Sequence, residues 1–289
     1  MWSPAAFATY AERYPDTPAL PTVVSLGTAF VEAWSGADLD ARVVAATRGL
    51  HVVFVRGFLG NWMPGNLAAP VRALRALGVH ATLARTDSGA PVSANVAALA
   101  AQVPAGPLLL CGHSKGGLEC LRLADTRPLD VRGVLLSQTP RGPSAVLESL
   151  LLRRHQESLA RPHRRAAEAL QRAGLHAIGA TPGGTELTRE PLATVIAAVD
   201  AAPPRPFPVW QTASWSSRPT AWLDSFHERL GEIRPRCAHD GQFYVEDLVW
   251  PGLPHLLLPH LDHAQPAMGG FGFDHVRYWK ALISLIAAA

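Results

Sequence analysis

The sequence predicts an α/β fold, a mainly parallel sheet with helices on both faces. Three observations carry this. Short β-branched or leucine-rich runs alternate with segments of helical spacing. The runs are apolar enough to be strands buried on both faces. Glycines punctuate several of the junctions, as at Gly57, Gly78 and Gly112. The 289 residues show no internal repeat and no low-complexity tract. A single domain over 1–289 is therefore expected.

Taken in order, residues 1–20 are rich in Pro and Ala and are expected to wrap the surface. HVVFV at 51–55 reads as a buried strand and runs into the loop Arg56-Gly57-Phe58-Leu59-Gly60. VRALRALG, 71–78, has helical spacing and stops at a glycine. VHATLA, 79–84, is a second strand and SANVAALAAQV, 93–103, a second helix. PLLLCG, 107–112, is a third strand, followed at once by His-Ser-Lys-Gly-Gly and the helical GLECLRLAD. VRGVLLSQTP, 131–140, is a fourth strand. Right-handed crossovers then align the strand C-termini along one edge, where ligands bind in such sheets.

Residues 141–205 break the rhythm. Two helical stretches, 144–160 and 163–174, precede a loop carrying Gly183, Gly184 and Pro203-Pro204. This reads as an inserted helical lid over the sheet edge. Alternation resumes with PFPVWQTA (206–213), a helix near 219–231, HLLLPHL (255–261) and a final helix over 275–287.

Composition excludes several function classes. Hydrophobic residues make up 48% and charged residues 17%, which suits a packed core rather than disorder. The formal net charge is only +3, with no basic run interleaved with aromatics, so no nucleic-acid partner is expected. Cys111, Cys120 and Cys237 form no C-x-x-C pair, which argues against a disulfide framework or a zinc site. No apolar stretch of about 18 residues exists, so no transmembrane helix is expected. The N-terminus lacks a basic region followed by an apolar run, so a cytoplasmic location is expected. No motif specifies an oligomeric state.

The chemistry starts at Gly112-His113-Ser114-Lys115-Gly116, a G-x-S-x-G pattern followed by Gly117. It lies between a buried strand and a helix, where a nucleophilic serine would stand on a tight, strained turn. Gly112 and Gly116 are the positions at which such a turn approaches other backbone. The helix N-terminus behind it aims N–H groups at a developing oxyanion.

Here the sequence resembles the α/β-hydrolase superfamily, and within it bacterial lipases and esterases whose nucleophile turn reads G-H-S-x-G-G. The resemblance runs from about 51 to 287. It is strong at this turn and around the C-terminal Asp and His, and weak in the lid. It implies an oxyanion hole made by the N–H of Phe58, in the segment matching the family's H-G-x-x-G, and the N–H of Lys115. Arg56 stands where the family has His, which leaves its role open between an internal ion pair and a substrate contact. The family's chain order is nucleophile, acid, histidine. His239-Asp240-Gly241 is similar to its N-D-G turn, which implies Asp240 as the acid, with Asp247 and Asp224 as alternatives. Asp247 is expected on the surface. Asp262-His263 follows the last strand and implies His263 as the base. His260, the nearer alternative, is expected to be structural, and His255 opens the strand at the sheet's far edge. A Ser114–Lys115 dyad is disfavoured because neighbours at such a turn point apart.

Trp62, Met63, Trp210 and Trp215 follow or end strands at the active edge and are candidates for an apolar acyl pocket. Asp87-Ser88 is expected to be an ordinary turn, with the rim of the site as its alternative. Some family lipases hold calcium with an Asp two residues after the histidine. Gln265 stands there, so no metal is expected. The implied activity is hydrolysis of carboxylic esters through an acyl-enzyme, without cofactor, on a lipid-like or medium-chain acyl substrate. A polyester depolymerase of the polyhydroxyalkanoate type and an acyltransferase share the same triad. A non-catalytic binding relative is the alternative of a different class.

Overall fold

The computed structural model describes residues 13–21, 25–155, 162–216 and 223–289. Among them, six strands form one sheet: β1 His51–Val55, β2 Ala81–Leu83, β3 Leu108–His113, β4 Val131–Ser137, β5 Val209–Trp215 and β6 His255–Pro259. Their spatial order is β2-β1-β3-β4-β5-β6, and every neighbouring pair is parallel. The chain starts inside the sheet, steps out to β2, then returns to β3 on the other side of β1. That reversal opens a crevice beyond the carboxyl ends of β1 and β3.

The strands are apolar on both faces because both are covered. Val53, Val55, Leu108, Leu110, Val134 and Leu136 point to one face, where α4 (Val92–Gln102) and α5 (Lys115–Thr126) pack. Val52, Phe54, Leu109, Cys111 and Leu135 point to the other. There α1 (Gly27–Ser35), α2 (Leu39–Ala46), α3 (Ala68–Ala76) and α12 (His275–Ile286) close the core. The two-residue period of a strand produces this division directly.

Between β4 and β5, among the described residues, lie four helices: α6 Ala145–Leu152, α7 Pro162–Ala177, α8 Thr181–Glu186 and α9 Arg189–Asp200. Two expectations are corrected here. The first helical stretch of the insertion ends at Leu152 rather than 160, where Arg153 turns left-handed at φ 55°. Residues 156–161 lie outside the described ones. The segment around Gly183 and Gly184, read as loop, is helical and is followed by a further helix. Glycine in a helix costs about 1 kcal/mol against alanine. Here close approach requires it, since a Cβ at Gly183 would sit 2.5 Å from the Gly89 carbonyl oxygen.

Among the described residues, the remaining α-helices are α10 (Asp224–Ile233) and the short α11 (Gln265–Met268). The start of the helix expected near 219 lies outside the described residues. So do residues 1–12 of the expected N-terminal wrap. Beyond them, Tyr14 packs edge-on to Trp215. No helix among the described residues is long and apolar enough to cross a membrane.

Candidate active site

Ser114 links β3 to α5 in a conformation that L-residues rarely adopt, φ 54° and ψ −130°. Its own N–H donates to Ser137 O at 2.8 Å, which ties the turn to β4. The flanking glycines make the turn possible. A Cβ at Gly112 would lie 2.4 Å from the Gly117 Cα, and one at Gly116 would lie 2.4 Å from the Val55 carbonyl oxygen. Both clashes are with backbone, so neither position tolerates a side chain.

Ser114 Oγ lies 2.8 Å from His263 Nε2, and His263 Nδ1 lies 2.6 Å from Asp240 Oδ2. Asp240 is fully buried. Its other oxygen, Oδ1, accepts from the backbone N–H of Gln242 at 2.9 Å and of Phe243 at 2.8 Å. The turn that allows this passes through Gly241 at φ 92°. His263 is held at its backbone as well. Its N–H donates to Asp240 O at 2.8 Å, and its carbonyl accepts from His113 Nε2 at 2.7 Å. Burial, then the neighbouring His263, pushes the His113 imidazole down to about 3, so it serves as a neutral donor. With Nδ1–H given to the Asp240 carboxylate, His263 Nε2 is free to accept the Ser114 hydroxyl proton.

The loop after β1 comes against this group. A Cβ at Gly57 would lie 2.6 Å from the Ser114 Cβ, and Leu59 is left-handed at φ 59°. The N–H groups of Phe58 and Lys115 therefore border Ser114, and neither donates to an acceptor among the described residues. Arg56 turns aside. Its stem lies against Gly60 and its Nε donates to Asn66 O at 3.4 Å, and among the described residues it meets neither an acidic partner nor the cavity.

A cavity of about 380 Å³ opens at Ser114 and His263. Its walls are almost wholly apolar. The insertion supplies Val146, Leu147, Leu150, Leu175 and Leu187, while Phe58, Met63, Phe226 and Phe243 come from elsewhere. Of the four expected pocket residues, Met63 lines it and the three tryptophans do not. Trp62 is 56% exposed on the outer side of its turn. Trp210 packs into the core beneath β5. Trp215 is buried in a separate cluster with Phe243, Val245 and Leu248. Being near a strand end did not decide which way these side chains point. The insertion residues carried a readable signal, an i, i+4 apolar pair at Val146 and Leu150 on α6.

Asp247, expected on the surface, is half-buried. Its carbonyl accepts from the N–H groups of Arg141 and Gly142 at 2.7 and 2.9 Å, and its carboxyl lies against the Gly142 Cα. Burial and the adjacent Glu246 push that carboxyl up to about 7. Asp224 begins α10, and its side chain is outside the described ones. His260 is exposed, with its ring 5.3 Å from that of Trp215, and His255 is buried at the start of β6. Asp262 caps α11, its Oδ1 accepting from the N–H of Ala264 and Gln265. Gln265 Oε1 in return accepts the Asp262 N–H. Asp87 and Ser88 form a turn, Asp87 Oδ1 accepting the Gly89 N–H and Ser88 Oγ the Asn61 N–H. Among the described residues, no group of three or more His, Cys, Asp or Glu is placed to hold a metal ion.

No family model and no curated protein sequence matches the chain. Solved structures do. A metagenomic carboxyl esterase superposes with a TM-score of 0.61 at 18% identity, over 84% of this chain and 76% of the other. The mature form of a Bacillus licheniformis lipase superposes with a TM-score of 0.55 at 17% identity, over 77% and 88%. Its propeptide form gives 0.59 at 17% identity, over 81% of this chain and 50% of that longer one. Likeness at this identity is a likeness of fold, and the fold is that of the α/β-hydrolases.

Proposed function

We propose that this protein is a serine hydrolase of carboxylic esters, with Ser114 as nucleophile, His263 as general base and Asp240 as the acid that orients the imidazole. The observation that carries this is the unbroken chain from Ser114 Oγ to His263 at 2.8 Å and on to Asp240 at 2.6 Å, opening on an apolar cavity. A serine hydroxyl alone is a poor nucleophile at neutral pH. His263 Nε2 takes its proton as Oγ attacks the ester carbonyl, and Asp240 stabilises the imidazolium that forms. The oxyanion is received by the N–H groups of Phe58 and Lys115. His263 then returns the proton to the leaving alcohol. Water, activated by the same imidazole, attacks the acyl-enzyme and releases the acid. The scheme uses no cofactor.

An acyl group with a hydrocarbon chain suits the cavity, because so little of its wall is polar. Residues 141–205 act in this reading as a cover over the sheet edge, since α6 and α7 contribute to that wall. That two of the similar folds are described as a carboxyl esterase and a lipase supports the same class. The test is labelling with a fluorophosphonate and turnover of a soluble butyrate ester by the wild type and Ser114→Ala. The variant should lose both labelling and several powers of ten in kcat. Near-normal turnover by pure Ser114→Ala refutes the assignment. An added alcohol appearing as a new ester in the products would mark acyl transfer instead of hydrolysis.

A further inference from the structure

Lys115 follows the nucleophile, and its side chain is buried with no exposed surface. Its ammonium donates to Glu119 Oε1 at 2.5 Å and to the carbonyl of Ala90 at 2.8 Å. Glu119, one turn along α5, is equally buried. Its Oε1 also accepts from Asn95 Nδ2 at 2.7 Å. Asn95 in turn clasps Asp87, donating to its carbonyl at 2.8 Å and accepting its N–H at 3.1 Å. The segment 87–92 is thus fastened to the first turn of α5 from below.

The insertion grips the same segment from the other side. Glu186 Oε2 accepts the Val92 N–H at 2.6 Å, and the Gly183 N–H donates to Gly89 O at 2.7 Å. The same short helix backs the Phe58 ring, which a Cβ at Gly184 would approach to 3.0 Å. Both amides assigned to the oxyanion therefore rest on one connected structure. Phe58 leans on α8, and α8 is tied through 87–92 to Lys115.

A buried ion pair is a costly way to stabilise a helix turn, and apolar residues of similar volume commonly do as well or better. Neither Lys115 nor Glu119 lines the cavity, so the pair is not a substrate contact. What it does touch is the Ala90 carbonyl and the Asn95 side chain, and Lys115 itself directly follows the strained Ser114. Strain of this kind persists only where the surroundings over-determine it. We propose that the buried Lys115–Glu119 pair, fastened to Ala90 and Asn95, is a positioning device that holds the Lys115 N–H in the oxyanion hole. The residue acts twice. Its amide faces the oxyanion, and its own ammonium fixes where that amide points. The inference rests on the reading of Ser114 as nucleophile.

The deciding variant is Lys115→Met with Glu119→Leu, which removes both charges together and leaves no orphan ion. Its Tm should equal or exceed that of the wild type. On a soluble butyrate ester, kcat per fluorophosphonate-titratable site should fall about 10–100-fold, below the 10²–10³ of a donor deleted outright, because this one is displaced. KM should stay within about threefold, as for an interaction made only in the transition state. Affinity for a boronic acid, which mimics the tetrahedral state, should fall in step with kcat, while inhibition by butanoate should not. The single variant Lys115→Met, less stable because Glu119 is stranded, should show the same loss per titratable site. Full kcat per site in either folded variant overturns the positioning role, as does a kcat loss matched by equal losses of KM affinity and Tm. Turnover surviving Ser114→Ala would instead overturn the reading beneath it.

Discussion

Replacing Asp240 by Asn tests the geometry of the site more finely than deleting any group. The two carboxylate oxygens have different work. Oδ1 accepts two backbone N–H groups, those of Gln242 and Phe243, and Oδ2 accepts the proton on His263 Nδ1. The introduced amide has one oxygen and one NH₂. Its oxygen must stay with the two backbone donors, because the reverse orientation would set NH₂ against both of them. The NH₂ therefore faces His263 Nδ1, which must become an acceptor. The ring proton moves to Nε2, the atom 2.8 Å from Ser114 Oγ, and the base can no longer take the hydroxyl proton. In a well-studied serine protease the equivalent change costs about 10⁴ in kcat. At 1.36 kcal/mol per decade this is about 5.5 kcal/mol of transition-state stabilisation. Stability should change little, because the two backbone bonds survive. The assay is kcat on a soluble butyrate ester, with Tm from circular dichroism as the control on folding. A loss under tenfold in a variant of unchanged Tm would refute the tautomer argument and the role given to Asp240.

Two further outcomes follow from the same geometry. Asp247 carries a carboxyl raised to about 7 from an ordinary 3.8, so the folded state prefers it protonated, and its contribution is lost as pH rises from about 4 to about 7. Asp247→Asn does not titrate, so it should gain on the wild type by on the order of 2–4 kcal/mol between pH 4 and pH 8, read from urea unfolding at both; a pH-independent difference would sink this. Leu150→Phe should extend a ring into the cavity and lower the kcat/KM ratio of octanoate to acetate esters by about tenfold or more, whereas equal loss on both would place Leu150 outside the acyl path.

The strands were legible because each is a short apolar run whose two faces are both buried, and HVVFV coincides with β1 to the residue. Ser114, Asp240 and His263, brought together in space, were approachable because each lies in a short local pattern. What the sequence hides is tertiary. The helix α8 contains Pro182, Gly183 and Gly184, which by local propensity favour a loop; at Gly183 the Gly89 carbonyl leaves no room for a side chain, and Gly184 stands against Leu151 and the Phe58 ring. The tryptophans failed as pocket residues because position near a strand end does not fix orientation. Asp247 misled because an acidic residue reads as exposed, while the Arg141–Gly142 backbone that closes over it is more than 100 positions away.

The placing of strain supports the same edge as the working one. Nine non-glycine residues among those described have positive φ, and four of them stand just beyond strand ends: Leu59 after β1, Ser114 after β3, Gln138 after β4 and His260 after β6. Such conformations cost on the order of 1–3 kcal/mol each and survive only where the neighbours fix them. The parallel sheet does the fixing. Ser114 N–H is bound to β4, Gln138 N–H to Thr212 O on β5, and Leu261 N–H, one residue past His260, to Trp215 O at the end of β5. The ends of β3 and β4 are thus each pinned by the next strand along, and the end of β6 is pinned by β5. That series of bonds carries the Ser114 turn at one side and the loop of His263 at the other. A glycine at position 138 or 260 would relieve strain locally but would loosen the step it occupies, on the frame that carries the 2.8 Å contact between Ser114 and His263.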